Sequence, residues 1–364
     1  MRKRIYVAAT SQHIGKTTST LGLVQALRNQ GVNVGYCKPV GQQGVLIDNK
    51  IVDKDTELFA QLLGFNLRQE IHSPVILGAG ATQDFLDNPE AYPFEEMILN
   101  AAKVLDNEHD MVIYEGTGHP GVGAVVDLSN ADVAHLLGAE VILVVEGGIG
   151  NTIDRLKLSM TMFKDKNVPI IGVIINKVRP EKYDKIKYYV GKKLAEWNIP
   201  LIGVIPYDKT LLYPLFDTVR KAVDGRVLYN EENMFVGIEN TVAASLIDTF
   251  DFNTRQNTLL VVSTNRFPEA LAKIEKIYEN LHLAKHPLAG IIITGDGRNE
   301  ESMQTFACEA IFMKHKIPVV TTMLDTYGAA VKISRMEVKI NTLTPWKTQR
   351  AIQLVEEYVD LGFL

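Results

Sequence analysis

Short apolar runs recur along the chain, each followed by a longer stretch with helical spacing. The runs Ile5–Ala9, Val32–Tyr36, Met111–Tyr114, Val141–Val145, Ile170–Ile175 and Leu201–Ile205 are continuous rather than alternating. A strand that is apolar throughout is buried on both faces, so these six predict a mostly parallel sheet with helices on either side. The stretches Thr17–Gln30, Asp55–Leu63, Phe94–Leu105, Thr152–Lys166 and Lys182–Trp197 supply those helices. Sheets of this kind hold ligands beyond the carboxyl ends of their strands. The residues that follow each strand therefore matter most.

The texture changes in the polar, acidic stretch Asp224–Glu239, which sets a boundary near residue 225. A second α/β alternation follows: strand Leu259–Ser263, helix Pro268–Leu281, strand Gly290–Thr294, helix Glu300–Lys314 and strand Val319–Thr322. A helix-like tail, Thr348–Val359, closes the chain. Two domains are expected, 1–225 and a smaller α/β domain at 226–364, in keeping with 364 residues at ~150 per domain.

Composition narrows the function. Apolar residues at 46% and charged residues at 22% mark a globular chain. A net charge of −5 and a pI near 6.0 exclude a general nucleic-acid backbone binder, which carries a basic excess. The longest apolar runs fall far short of the ~20 residues that span a bilayer. Basic Met1–Arg4 precedes too short an apolar stretch for a signal peptide. No nucleic-acid or membrane partner is expected, and a cytoplasmic location is. The two cysteines, Cys37 and Cys308, match no metal-ligand spacing and suit a reduced compartment, with Cys308 read as a core residue.

The strongest chemical signal is Thr10-Ser11-Gln12-His13-Ile14-Gly15-Lys16-Thr17-Thr18, between the first strand and the first helix. Phosphate binding needs inward backbone N–H groups, a helix N-terminus and a flexible ammonium. Gly15 permits the turn, Lys16 can reach the β- and γ-phosphates, and the Thr17 hydroxyl can ligate Mg²⁺. Ala9 or Thr10 stands where the motif usually has its first glycine. Lys38, at the next strand end, is placed to offer a second cation. Glu115, ending the third strand in Tyr114-Glu115-Gly116-Thr117-Gly118, can give a carboxylate to the metal. His119 reads as a loop residue.

With Tyr36-Cys37-Lys38-Pro39-Val40 after it, the loop resembles dethiobiotin synthetase and its relatives, including the cobyrinic acid amide synthetases. That resemblance implies a P-loop NTPase-type fold, ATP and Mg²⁺ as cofactors, and Lys16 and Lys38 as catalytic cations. Asp55 resembles the family's metal-side aspartate, with Asp53 and Asp48 as alternative matches and helix capping as the competing role for Asp55. The segment Asn176-Lys177-Val178-Arg179 implies that Asn176 contacts the base. Arg179 occupies the position at which guanine readers carry a carboxylate, which favours adenine. Glu146-Gly147-Gly148-Ile149-Gly150-Asn151 resembles the glycine-rich segment near the acceptor substrate, or serves only to reverse the chain.

The whole chain resembles the N-terminal part of long phosphotransacetylases, a dethiobiotin-synthetase-like unit followed by a DRTGG domain. Ser263-Thr264-Asn265-Arg266, Thr294-Gly295-Asp296 and Leu324-Asp325-Thr326-Tyr327 stand at the second domain's motif positions. The acetyltransferase domain would begin near Leu364, so acetyl transfer is not expected. The expected function is a Mg-ATP-binding regulatory or assembly module with slow or no hydrolysis. It would form homo-oligomers and could take a small-molecule effector at the second domain. The alternatives are an ATP-dependent ligase that activates a carboxylate or carbamate, and a scaffold without turnover. No Cys–His pair suggests a glutaminase.

Overall fold

The computed structural model describes residues 3–47, 50–295, 309–336, 338–362 and 364. Two compact units result: Met1–Asp208 with Ile340–Leu364, and Lys209–Lys339 between them in sequence.

The first unit follows the predicted alternation. Strand β1 (Lys3–Ala9) leads through the phosphate-type loop into α1 (Lys16–Asn29), then β2 (Val34–Cys37). Short excursions follow: β3 (Val40–Gly41), a hairpin of β4 (Gly44–Ile47) and β5 (Lys50–Asp53), α2 (Lys54–Leu63), α3 (Gln69–His72), β6 (Val75–Ile76) and α4 (Ala81–Asp87). The main rhythm resumes with α5 (Phe94–Glu108), β7 (Met111–Glu115), α6 (Asn130–Leu136), β8 (Glu140–Glu146), α7 (Gly150–Asp165), β9 (Ile170–Val178), α8 (Tyr183–Glu196) and β10 (Leu201–Pro206). Six strands form one sheet in the order β10-β9-β8-β1-β7-β2, every pair parallel. Successive side chains of a strand face opposite ways. Tyr6 and Ala8 of β1 thus join a core with Ile98 and Leu105 of α5, Leu156 and Phe163 of α7 and Val190 of α8. Against β1, β2 and β7 lies α1.

The second unit holds α9 (Phe216–Ala222), β11 (Arg226–Tyr229), β12 (Asn240–Ala243), β13 (Thr258–Ser263), α10 (Phe267–Asn280), β14 (Leu288–Thr294), α11 (Glu309–Lys314), β15 (Val319–Thr322) and α12 (Thr326–Arg335). Its five-stranded sheet runs β11-β15-β14-β13-β12, parallel except for β11 at one edge. The α/β reading therefore holds for both units.

The division differs from the expected 225/226. Phe216 and Val219 of α9 are buried with Leu259, Ile292 and Val320 of the second sheet, so residues 209–225 belong there. At the other end, α13 (Pro345–Tyr358) returns to the first unit. Its buried positions Lys347, Ala351, Leu354 and Val355 recur at helical spacing. A Cβ on Gly22 of α1 would lie 2.4 Å from Val355, which shows how closely α13 packs there. Asn29 donates to Glu356 at 2.8 Å, and Gly203 of β10 bridges Val359. An amphipathic tail announces that it will be covered, but its sequence does not say by which unit. Cys308, Asp48, Asp296 and the first part of the helix expected at Glu300–Lys314 lie outside the described residues.

Candidate functional site

The carboxyl edge of the first sheet gathers the residues that the motifs singled out. Parallel pairing sets Val7 of β1 beside Glu115 of β7, and Glu146 of β8 beside Asn176 of β9. The loop after β1 thus rises between Glu115 on one side and Asn176 on the other. Ala9 continues the strand, and Thr10 donates its N–H to Val144 O at 3.1 Å.

Gly15 caps α1 at φ +90°, in the left-handed region. A Cβ there would come within 2.2 Å of Asn176 Nδ2, so position 15 is limited to glycine twice over. Lys16 Nζ lies 3.1 Å from Glu115 Oε1 and also donates to Gly116 O. Thr17 Oγ1 donates to the same Glu115 oxygen at 2.7 Å. The other carboxylate oxygen accepts from Tyr36 OH at 3.0 Å. Burial, then the Glu115 charge, pushes the Tyr36 phenol well above its ordinary value, so it stays a donor. Glu115 is fully buried, and three donors surround its charge.

Lys38 is only 5% exposed. Its ammonium is 2.9 Å from Asp53 Oδ1 and also pairs with Asp55. Burial alone would lower its pKa, but Asp55, Asp53 and Glu115 outweigh burial and raise it. The two aspartates differ in role. Asp53 caps α2, accepting from Asp55 N at 2.9 Å and from Gln42 N at 3.2 Å, and it is fully buried. Asp55 is partly exposed, which leaves it the more accessible carboxylate of the two.

Thr17 Oγ1 and Glu115 Oε1 are adjoining hard oxygens, of the kind that could hold Mg²⁺. Ser11 Oγ accepts from Arg155 at 3.1 Å, and His13 O accepts from Lys177 Nζ. Gln12 and His13 are exposed, Ile14 is buried, and Thr18 continues α1. Asn176 Nδ2 donates to Ile14 O at 2.8 Å, and its Oδ1 accepts from Lys177 N at 2.8 Å. It braces the loop backbone. His119 is exposed, with Gly121 N donating to its Nδ1 at 3.2 Å, and meets the expectation of a loop residue.

Sequence reasoning passed over Asn130. Its Oδ1 accepts from Tyr6 OH at 2.7 Å and Thr117 N at 2.9 Å, while Nδ2 donates to Thr117 O at 2.8 Å and His119 O at 2.6 Å. This buried amide fixes the loop that follows Glu115. The available signal was the Ser129–Asp132 capping box, which starts α6 at that point.

In the second unit the three motif segments meet at the carboxyl edge as well. Thr264 Oγ1 donates to Thr294 O at 3.2 Å, and the Thr294 and Thr326 hydroxyls are 2.9 Å apart. Asp325 caps α12, accepting from Gly328 N at 2.6 Å. No helix of the described residues is long and apolar enough to cross a membrane.

Residues 3–214 match the AAA_26 family, described as an AAA domain, and residues 218–336 match the DRTGG domain. Among similar proteins, a phosphate acetyltransferase of Nitratidesulfovibrio vulgaris is 22% identical over 367 residues, covering 99% of this chain and 51% of the relative. An ATP-dependent dethiobiotin synthetase BioD of Methanococcus vannielii is 30% identical over 205 residues, 55% of this chain and 92% of the relative. A probable cobyric acid synthase of Methanocaldococcus jannaschii is 27% identical over 243 residues, 60% of this chain and 48% of the relative. The chain spans about half the length of the phosphate acetyltransferases it matches.

Proposed function

The chain belongs to the AAA_26 family of AAA domains, and on that premise we propose that it binds Mg-ATP at the first unit's P-loop and acts as a nucleotide-responsive regulatory or assembly module. Hydrolysis is slow at most. The observation that carries this reading is the Lys16–Thr17–Glu115 cluster at the N-terminus of α1. Lys16 directs two of its three donors at Glu115 and Gly116, and a phosphate oxygen can take the third. Loop N–H groups and the helix N-terminus complete an anion cradle. Thr17 and Glu115, with Asp55 nearby, would hold Mg²⁺, which supplies charge neutralisation at the phosphates.

A regulatory role draws support from α13. The nucleotide would order the loop that begins α1, and α13 packs on α1 at Gly22. The chain reaches α13 directly from the second unit, so loop occupancy can bias the linking segment. Lys38 favours a second reading, an ATP-dependent ligase. A buried cation with charge permanently held by Asp53 and Asp55 suits an anionic acyl- or carbamoyl-phosphate intermediate.

Calorimetry with ATP, GTP and ADP, with and without Mg²⁺, tests the site. ATP should bind at least about tenfold more tightly than GTP, roughly 1.4 kcal/mol, because Arg179 replaces the carboxylate of guanine readers. Light scattering and limited proteolysis then test the role, with Mg-ATP expected to shift the oligomer distribution or the cleavage pattern. If neither moves and a carboxylate or diamine metabolite accelerates phosphate release, the ligase reading replaces the regulatory one. Absence of ATP binding removes both.

A further inference from the structure

Three side chains of the second unit, far apart in sequence, turn their polar atoms toward one point. Glu275 lies in the C-terminal half of α10, His286 just before β14, and His315 just after α11. Glu275 Oε2 is 3.3 Å from His286 Nε2, and Oε1 is 3.1 Å from His315 Nε2. One donor atom from each residue lies within 4.8 Å of the other two. The imidazole centroids are 4.5 Å apart, and the Tyr278 ring flanks each at 5.2 Å.

The hydrogen bonding of this group is incomplete. His286 is 5% exposed, and both its Nε2 and Glu275 Oε2 are buried without a hydrogen-bond partner. Their 3.3 Å separation lacks the alignment a hydrogen bond needs. Buried polar atoms left this way are costly, and each such atom calls for a reason.

We propose that Glu275, His286 and His315 bind one divalent transition-metal ion of the zinc class, with a fourth position open to water or another ligand. Two imidazole nitrogens and one carboxylate oxygen form a zinc donor set. Donors at ~2.0–2.1 Å in a tetrahedron lie roughly 3.3–3.4 Å from one another; one donor atom from each residue already lies within 4.8 Å of the other two, so modest side-chain rotations bring the set to that spacing. Hard cations such as Mg²⁺ and Ca²⁺ prefer all-oxygen sites, so the two histidines select against them.

Three existing contacts must yield, and one is the His315 Nε2–Glu275 Oε1 hydrogen bond at 3.1 Å, whose proton the ion replaces. Lys314 Nζ, 3.1 Å from Glu275 Oε1, is on an exposed side chain that can swing into solvent. His286 Nδ1 accepts from Leu288 N at the long distance of 3.3 Å. Ligation through Nε2 moves the ring proton to Nδ1, so that contact is exchanged for a metal–nitrogen bond. The ion would tie α10 to the entries of β14 and β15 at the amino edge of the sheet. Nothing in this site depends on the nucleotide reading.

The test uses the full chain, free of nucleotide and of any histidine tag. Titration with Co²⁺ should bind one equivalent and develop the visible bands of a tetrahedral ion, which one equivalent of Zn²⁺ then bleaches. Zn²⁺ should also raise the melting temperature. Glu275→Gln and His315→Gln should each weaken Co²⁺ binding at least tenfold. Glu275→Gln keeps the side-chain shape and decides the matter if His315→Gln lowers the metal-free melting temperature. The proposal is overturned if the wild-type chain retains no Co²⁺ or Zn²⁺ after dialysis, or if uptake is unchanged in Glu275→Gln.

Discussion

The two units share a plan, a largely parallel sheet whose loops gather at the carboxyl edge, yet that edge is furnished differently in each. In the first unit it holds buried charge: Glu115, Lys38 and Asp53, with Lys16 beside them. In the second, among the described residues, no Asp, Glu, Lys or Arg is buried, and the motif segments meet through the hydroxyls of Thr264, Thr294 and Thr326. Burying charge is costly unless it is paired, so a fold retains it where chemistry demands it. Architecture places a ligand edge in both units. Among the described residues, only the first unit's edge gathers buried, paired charge.

The largest effect that could break this contrast comes from Lys16→Ala. Loss of a point charge on phosphate should weaken Mg-ATP binding about a hundredfold, roughly 2.7 kcal/mol, with the fold intact by circular dichroism. Unchanged affinity by titration would move the phosphate site elsewhere. A paired test sharpens the contrast. An alanine at Gly116 would place its Cβ 2.3 Å from Asn130 Oδ1, and one at Gly290 would lie 2.8 Å from the Phe216 ring. Each should destabilise the chain by ~1–3 kcal/mol in denaturant melts. Only Gly116→Ala should also reduce ATP affinity, because Gly116 O receives Lys16. Equal losses of affinity in both would dissolve the distinction between the units.

The smallest effect concerns Lys347, the fully buried lysine of α13 whose Nζ has no hydrogen-bond partner. Burial lowers its pKa to about 8, from 10.5 when exposed. The folded chain therefore sheds this proton before the unfolded chain does. Its cost is full below pH 8 and fades as pH rises from 8 to 10.5. Lys347→Met should raise stability at pH 7 by on the order of 1 kcal/mol, with the gain disappearing near pH 10.5. A pH-independent difference in melting would contradict this account.

Much of the first edge was legible because its chemistry is local. Gly15, Lys16 and Thr17 adjoin one another, and Lys38 and Glu115 each end a continuous apolar strand. The choice between Asp53 and Asp55 was not legible, since both can start a helix; only packing shows that Asp53 is buried as the cap. Tyr36 gave no signal of its role because its partner Glu115 lies 79 positions away. Asn130 bonds Tyr6 across 124 positions, and Thr117 and His119 in a nearby loop without periodic pattern. The Asn176 amide also donates to Ile14 O, a contact made across 162 positions that no local pattern announces. The β4–β5 hairpin gave no usable pattern, as its paired Leu46 and Ile51 are both exposed. What the sequence hides is long-range pairing.

The return of α13 bears on how the chain is made. Asn29 and Glu356 touch although 327 positions separate them, so α1 leaves the ribosome long before its partner exists. At ~5–20 residues per second that interval lasts tens of seconds. Throughout it the side of α1 around Gly22 lacks its cover, while the contiguous residues 209–339 can complete their own core. The first unit to be translated is thus the last to be finished. A nascent chain stalled before residue 345 would leave that side of α1 uncovered, a surface on which a chaperone could act.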